Sequence, residues 1–332
     1  MSNFEKDPPE ILCADRPTTG SGTTTPELLV PRDVPLGGPR GMNVRRTLPQ
    51  RRRSLIGSWC FLDHYGPRDL TDSQGMNVPR HPHTGLQTVS WLFSGEIEHR
   101  DSTGTLAVVR PGELNLMTAG SGISHSEFST PETTILHGAQ LWIALPNTSR
   151  DTAPAFEHYR PDPISGQGWV ARVFLGSLLG DSAPSAVHRP LVGAELRLEE
   201  GATLVVDTEP GFEYGLLLDA GSLLVDETEV PMGHLAYLPQ GSTSMSLRGL
   251  DGGARLLLIG GEPLGEQIVM WWNFVGRSHQ ELVDFRTAWQ QQIAPEASQW
   301  SSDGHDFGPF PAGQPAALPA PEMPNARLKP RS

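Results

Sequence analysis

The chain of 332 residues contains only two cysteines, Cys13 and Cys60, and it has no apolar run of membrane-spanning length. Two cysteines cannot build a disulfide framework or a zinc-ribbon site. A membrane-spanning helix needs about 20 consecutive apolar residues, so none is predicted. The first residues also lack a basic segment followed by an apolar one, so no secretory signal is predicted. These absences favour a cytoplasmic protein with reduced thiols.

Basic residues are also scarce. The chain has 25 Lys and Arg against 38 Asp and Glu, and its formal net charge is −13. Nucleic-acid binding usually needs a basic face, so no direct nucleic-acid partner is expected. The arginines at positions 45, 46 and 51–53 are the local exception. We interpret them as a solvated turn between strands.

Glycine and proline, by contrast, are abundant, with 36 and 31 residues. A turn-rich composition of this kind predicts many short strands. β-Rich segments separated by turn signals lie at residues 88–93, 96–99, 106–109, 114–117 and 139–145. Residues 217–223 then repeat the pattern of 92–97, and residues 231–237 repeat that of 110–116. An internal repeat of strands and turns predicts two stacked β-barrels.

The domain organisation follows from these patterns. Residues 1–40 are predicted to be disordered or loosely attached, and residues 296–332 form a disordered proline-rich tail. The first barrel is assigned to residues 41–150, and the second, with a short helix, to residues 165–293. Ser278 and Glu281 have the spacing of a helix capping box, and the apolar residues that follow have helical spacing as far as Ile293.

Two short motifs carry the chemistry, His81-Pro82-His83 and His125-Ser126-Glu127. In an extended strand, residues two apart point to the same face, so each motif presents two metal ligands together. The glycine-rich stretch at 120–122 allows a sharp bend just before the second motif. Three imidazole nitrogens and one carboxylate oxygen suit a divalent transition metal.

The remaining candidates for chemistry have structural interpretations. His64 is expected to make a structural hydrogen bond, His99 to be exposed or to support the ligands, and His137 to be solvated. The repeat places Ser246 and Arg248 at the positions of His125 and Glu127, so one metal per chain is predicted. Cys60 is interpreted as a buried structural thiol.

Several longer stretches resemble the signature segments of the pirin family. They are HPHTG at 81–85, GEIEHRDS at 95–102, RPG at 110–112 and MTAGSGISHSE at 117–127, together with FLDHYGP at 61–67, GGEPLGE at 260–266 and WNFV at 272–275. The resemblance covers about residues 40–292. The chain departs from the commonest family pattern at Thr84, Gln87 and Ser121, where charged residues are frequent.

This resemblance implies an all-β bicupin fold, with two stacked cupin (jelly-roll) barrels, a short C-terminal helix and one metal in the first barrel. The implied ligands are His81, His83, His125 and Glu127. Iron is the first candidate, and nickel, copper, manganese, cobalt and zinc are the alternatives.

Two functions stay open at this level. Some pirins resemble quercetin 2,3-dioxygenases, and here Glu127 would also act as a catalytic base toward a flavonol. Others are regulatory proteins whose metal or redox state controls binding to a transcription factor or a metabolic enzyme. An open apolar pocket above the metal would favour the enzyme, and a closed site would favour the regulator.

Overall fold

The computed structural model describes residues 25–36, 42–71, 75–294, 306–325 and 327–330. Over these ranges the chain forms short strands and one helix, as the composition predicts. This helix has 14 residues, and no helix in the described ranges is long and apolar enough to cross a membrane.

The N-terminal half contains β1 (Glu27–Leu29), which joins the main sheet of the second barrel, and the strands of the first barrel. The strands of the first barrel are β2 (Arg32–Leu36), β3 (Met42–Leu48), β4 (Trp59–Asp69), β5 (Asn77–His83), β6 (Leu86–Ser94), β7 (Ile97–Asp101), β8 (Leu106–Val109), β9 (Leu114–Thr118), β10 (Ile123–Ser129), β11 (Ile135–Ala144) and β12 (Ala155–Tyr159). A seven-stranded sheet has the order β12-β9-β6-β11-β4-β3-β2, and a four-stranded sheet has the order β5-β10-β7-β8. Apolar side chains from both sheets form a common core between them.

The C-terminal half forms the second barrel and the helix. Its elements are β13 (Ile164–Gly166), β14 (Trp169–Leu175), β15 (Ser177–Leu178), β16 (Asp181–Ser182), β17 (Leu191–Leu198), β18 (Thr203–Asp207), β19 (Glu213–Val225), β20 (Thr228–Val230), β21 (Leu235–Leu238), β22 (Ser244–Gly261), β23 (Val269–Trp271), β24 (Phe274–Gly276) and α1 (His279–Gln292). Its main sheet follows β21-β19-β22-β17-β14-β13, with β18 on β22 and β20 on β19.

The predicted repeat is visible in the turns that precede β7 and that interrupt β19. Gly95 and Gly221 occupy equivalent positions, with φ of 84° and 79°. A Cβ at either would lie 2.5 Å or less from a carbonyl oxygen, that of Ile135 or of Gly253. Only glycine fits such a left-handed, closely approached position, so the same turn recurs in both halves.

The two barrels share a large apolar core. Trp91 of β6 stacks on Phe174 of β14 with ring centroids 4.5 Å apart, and its Nε1 donates to Glu195 Oε2 at 2.8 Å. Trp59 Nε1 donates to the carbonyl oxygen of Gly260 at 3.0 Å. Burial of this apolar interface fixes the barrels against each other, because separating them would expose several large side chains to water.

The helix is positioned as its sequence predicts. Ser278 is the N-cap, and its side chain accepts a hydrogen bond from Glu281 N at 3.2 Å. The Glu281 carboxylate accepts from Arg277 N at 2.9 Å and from Arg150 at 2.7 Å. The Ser278 contact satisfies one free N–H group of the first turn, and the Glu281 contacts tie the start of the helix to Arg277 and Arg150.

Both terminal segments differ from the prediction of disorder where the structure describes them. Residues 27–29 form β1, which pairs with β21 of the second barrel, and β2 pairs with β3 of the first. In the tail, Phe307 is fully buried and Ala320 is buried against the helix and β23–β24. Proline prevents regular structure in the tail but does not prevent apolar side chains from packing. Residues 1–24, 37–40, 296–305, 326 and 331–332 of the predicted disordered segments lie outside the described ranges.

Candidate metal centre

The strand β10 lies between β5 and β7 and carries half of the predicted ligands. In the antiparallel register His125 faces His81 on β5 and Asp101 on β7. Glu127 faces His99 on β7. Because side chains two apart on a strand share a face, all these groups point into the first barrel. The alternation read from the sequence therefore brings the predicted residues together.

Three of the predicted ligands converge closely. Ring nitrogens of His81, His83 and His125 all lie within 4.8 Å of one another, and the three side chains are buried. Glu127 belongs to an overlapping group with His125 and His99, whose ligand atoms also lie within 4.8 Å of one another. His125 is thus shared between the two groups.

Backbone carbonyls fix the tautomers of two of these histidines. His81 Nδ1 lies 2.9 Å from the carbonyl oxygen of Pro79, and His83 Nδ1 lies 3.0 Å from that of Asn273. A carbonyl only accepts hydrogen bonds, so each Nδ1 carries the proton and donates it. The Nε2 atom of each ring is then left with a free lone pair directed into the barrel.

A second hydrogen-bond chain fixes the third histidine. His99 Nε2 lies 2.9 Å from Asp101 Oδ2 and must donate to that carboxylate. His99 Nδ1 is then an acceptor, and it lies 3.4 Å from His125 Nδ1, which donates to it. His125 Nε2 is therefore also a lone-pair atom. Hydrogen bonds of this kind orient metal-binding imidazoles and raise their basicity.

The donor set fits a bound cation. His83 Nε2 and His125 Nε2 are 3.1 Å apart, yet both bear lone pairs and cannot share a hydrogen. Two nitrogens bound at a right angle to one metal, each at about 2.1 Å, are separated by about 3 Å. His81 Nε2 is buried, and no hydrogen-bond partner for it lies among the described residues. A divalent metal would satisfy all three nitrogens at once.

Burial keeps the imidazoles in the neutral form that binds metals. It lowers the pKa of His81 to about 4, and a hydrogen bond to the carbonyl of Pro79 only partly opposes the shift. Burial also lowers the pKa of His83 and His125 well below the ordinary histidine value, with smaller effects of the neighbouring imidazoles. Asp101 behaves differently: burial raises its pKa, but hydrogen bonds from His99 and Thr103 outweigh this and lower it.

Aromatic side chains line the rest of the centre. Trp142 meets the edge of His83 with ring centroids 5.2 Å apart, and Phe156 stacks on His99 at 4.7 Å. Tyr65 is fully buried, and burial together with the charge of Glu127 raises its pKa well above the usual range. The three aromatic side chains exclude water from the predicted ligands. Burial of Tyr65 and the charge of Glu127 keep the tyrosine hydroxyl protonated.

The supporting roles of His99 and Asp101 were not resolved from the sequence. His99 was expected to be exposed or to support the ligands, and it is buried, with only 3% of its surface accessible. Its signal was the alternation of residues 97, 99 and 101, which form the buried face of β7. Two of these three residues are polar, and buried polar side chains at alternate positions point to a site.

His137 corrects a second expectation. It was predicted to be solvated, but it is buried between the barrels, with Nε2 2.6 Å from Asp219 Oδ1. His64 Nε2 lies 2.6 Å from the same oxygen, in agreement with its predicted structural hydrogen bond. Arg45 lies 3.1 Å from His64 Nδ1, and Arg255 also contacts His137 and Asp219. Two guanidinium groups beside this cluster oppose a metal ion there, because like charges repel.

The remaining predictions on chemistry concern the second barrel and the thiol. The interior of the second barrel is filled by leucine, valine and other apolar side chains. Among the described residues, no candidate metal-binding group lies wholly within that barrel. Cys60 is fully buried, as predicted, and burial raises its pKa to about 12.

Two stacked β-barrels with a histidine-rich centre in the first define the chain as a bicupin. The family model described as Pirin matches residues 41–143, and that of the Pirin C-terminal cupin domain matches residues 193–294. The chain is 47% identical over 261 residues to "Putative quercetin 2,3-dioxygenase PA1205" of Pseudomonas aeruginosa, covering 78% of this chain and 82% of that protein. It therefore belongs to the pirin family.

Solved structures agree with this assignment. A crystal structure of quercetin 2,3-dioxygenase from Acinetobacter baumannii has 37% sequence identity and a TM-score of 0.82, covering 92% of this chain and 98% of that chain. The nickel(II) complex of the bacterial pirin YhhW from Escherichia coli has 18% identity and a TM-score of 0.54, covering 72% and 99%. The second comparison shows the shared fold alone.

Proposed function

We propose that the chain binds one divalent transition metal through His81, His83, His125 and Glu127 and oxygenates a flavonol, as a quercetin 2,3-dioxygenase does. The observation that carries this proposal is the convergence of three imidazole Nε2 atoms. Each of these rings donates its Nδ1 hydrogen to another group and so leaves Nε2 with a free lone pair. The names of the Pseudomonas and Acinetobacter relatives support the choice of substrate class.

The donor set also guides the choice of metal. Three imidazole nitrogens and one carboxylate oxygen suit iron, nickel, copper, manganese, cobalt and zinc. Iron is the first candidate because of the resemblance to pirins, and the nickel complex of the Escherichia coli relative supports nickel as an alternative. A cytoplasmic location remains a prediction from the sequence.

The protein residues have distinct roles in this proposal. The bound metal would supply Lewis acidity and electron transfer between the flavonol and dioxygen. Glu127 would accept the proton of a flavonol hydroxyl on one of its carboxylate oxygens. Asp101 and His99 are positioning residues, because their hydrogen bonds hold the His125 ring with Nε2 directed inward. The buried aromatic wall keeps water away from the reacting groups.

The substitution Glu127→Gln tests the proposed base. Glutamine keeps the size and one oxygen ligand but cannot accept the proton, so we expect turnover of quercetin to fall about 10²–10⁴-fold. Oxygen consumption is measured with each candidate metal, and metal content is measured on the same sample. Glu132→Gln, at an exposed position of the same barrel, is the matched control and should keep wild-type turnover.

The burial of the centre favours a second candidate, a regulatory protein whose metal state controls partner binding. The side chains of His81, His83, His125 and Glu127 are at most 1% exposed, so a flavonol reaches them only if the barrel opens. If fully metal-loaded protein consumes no oxygen with any flavonol, the enzymatic proposal fails and the regulatory one stands. Flavonol turnover that disappears when the metal is removed would support the enzymatic proposal over the regulatory one.

A further inference from the structure

A cavity of about 420 Å³ lies between the two barrels, away from the metal ligands. Phe93 and the Pro111 turn of the first barrel form one wall, and Arg172 and Arg197 of the second barrel form the opposite wall. The linker between the barrels contributes Arg160 and Asp162 to its rim. The walls thus come from three separate parts of the chain, and prolines stiffen the turn and the linker.

The charge of this cavity is opposite to that of the whole chain. Three arginines and one aspartate line it, in a protein with a net charge of −13. Arg197 is partly neutralised by the buried Glu195, whose Oε1 accepts its Nε hydrogen bond. Within the described parts of the chain, Arg160 and Arg172 have neither a hydrogen-bond nor an ion-pair partner. Unpaired guanidinium groups in a concave site are typical of anion recognition.

The internal repeat gives Arg172 of this cavity an equivalent residue in the first half of the chain, Arg45. Arg172 faces Glu195 in the β14–β17 register, as Arg45 faces His64 in the β3–β4 register. The Nε atoms of Arg172 and Arg45 each lie 3.7 Å from the ideal Cβ position of an equivalent turn glycine, Gly112 or Gly233, on the opposite barrel. Arg172 and Arg45 are therefore equivalent residues of the two halves.

The environments of these two arginines differ. Arg45 donates to the carbonyl oxygen of Gly66 at 2.8 Å and contacts His64, which in turn bonds to the Asp219 carboxylate. In the first half the position equivalent to Asp219 is Phe93, because each lies two residues before the equivalent turn glycine, Gly221 or Gly95, and each is the bulged residue of its strand. The cavity beside Arg172 therefore has the ring of Phe93 and empty volume at the position where the Asp219 carboxylate lies near Arg45.

We propose that this cavity binds a small organic anion with at least two negative charges, a dicarboxylate or a phosphate ester, between Arg160, Arg172 and Arg197. The arginines would hold the anionic groups by charge-assisted hydrogen bonds, and Phe93 would contact the carbon skeleton. Asp162 lies beside Arg160 on the rim and partly offsets its charge, so Arg172 and Arg197 of the second barrel provide most of the attraction. This site is separate from the metal centre and from the proposed oxygenation.

The test is isothermal titration calorimetry of the full chain, as purified, with succinate, citrate, glycerol phosphate and inorganic phosphate. We expect saturable binding of at least one organic anion and none of succinamide, which has the same skeleton without charge. A preference for the carboxylates or for glycerol phosphate identifies the natural chemistry. Arg172→Gln should weaken binding about tenfold or more, because it removes a charge-assisted hydrogen bond.

Two control variants make the result specific. Arg248→Gln removes the same charge from an exposed site elsewhere on the second barrel and should leave the dissociation constant unchanged. His81→Ala should also leave it unchanged, because the cavity does not include the metal ligands. The proposal is overturned if no probe binds, if Arg172→Gln binds like the wild type, or if Arg248→Gln or His81→Ala weakens binding equally. Thermal unfolding curves of the variants verify that each is folded.

Discussion

The metal centre depends on where three hydrogen atoms are placed. The carbonyl oxygens of Pro79 and Asn273 and the Nδ1 atom of His99 each accept a hydrogen bond from one of the three ligand histidines. A ligand histidine without such a partner would lose orientation and could present a donor instead of a lone pair. A metal site here thus requires both the ligand residues and the hydrogen-bond acceptors that fix the tautomer of each ligand histidine.

At this scale the first prediction concerns the ligands themselves. His81→Ala or His125→Ala removes one of four donors, and a three-donor site binds metal far more weakly. We expect both purified variants to lose the metal that the wild type retains, as measured by elemental analysis. His188→Ala, a half-buried histidine outside the centre, is the control. Full occupancy in both ligand variants would show that the metal lies elsewhere.

At the scale of single elements, the proline-rich tail packs against the rest of the protein. Residues 306–325 have no helix or strand, yet they pack on the helix and contact β5 and β10, the strands of the predicted ligands. Phe307 contacts the rings of Phe274 and Trp289, and its carbonyl oxygen accepts from Ser124 Oγ at 2.8 Å. Ser124 precedes His125 on β10, so the tail supports the strand that carries the ligands.

The prediction at the element scale is that Phe307→Ala destabilises the protein. Removing a fully buried phenylalanine typically costs about 3–5 kcal/mol of unfolding free energy. Urea unfolding of the variant and the wild type measures the difference. Phe310→Ala, at a partly exposed position three residues later, should cost much less. Equal stability of the Phe307 variant and the wild type would mean that the tail does not pack in solution.

Across the whole molecule, the two barrels are joined by polar contacts as well as by their apolar core. Asp219 of the second barrel meets His64 and His137 of the first, and Arg255 also contacts it. Burial opposes ionisation of Asp219, but the hydrogen bonds of His137 and His64 lower its pKa below the ordinary value. A charged carboxylate therefore joins the barrels at neutral pH.

This arrangement predicts a pH-dependent effect of Asp219→Asn. A group with a lowered folded-state pKa stabilises the fold above its unfolded pKa, and the stabilisation is lost as pH falls through the folded value. We expect the variant to be less stable by about 3 kcal/mol near pH 7, since removing one partner of a buried ion pair is costly. The difference in unfolding temperature should be largest near neutrality and shrink below about pH 4. Asp251→Asn, at an exposed position of β22, should match the wild type throughout.

The last prediction at this scale is one metal per chain. The interior of the second barrel is apolar, and Arg248, at the repeated position of Glu127, is exposed. Elemental analysis of protein purified without a metal-binding tag should give at most one equivalent of transition metal. Two tightly bound equivalents would mean that the His64–His137–Asp219 cluster, or another site, also binds metal.

The β-barrel pair, the helix and the convergence of His81, His83 and His125 could all be predicted from the sequence. These follow from local rules, because strand alternation fixes which side chains share a face and capping fixes where a helix begins. The sequence did not determine that His99 supports a ligand, that His137 is buried between the barrels, or that the tail is packed. Those outcomes depend on partners more than 20 residues away along the chain, such as His125, Asp219 and Ser124. Contacts between such distant groups follow from the complete fold, because burial and hydrogen bonding at a given position depend on every element packed around it.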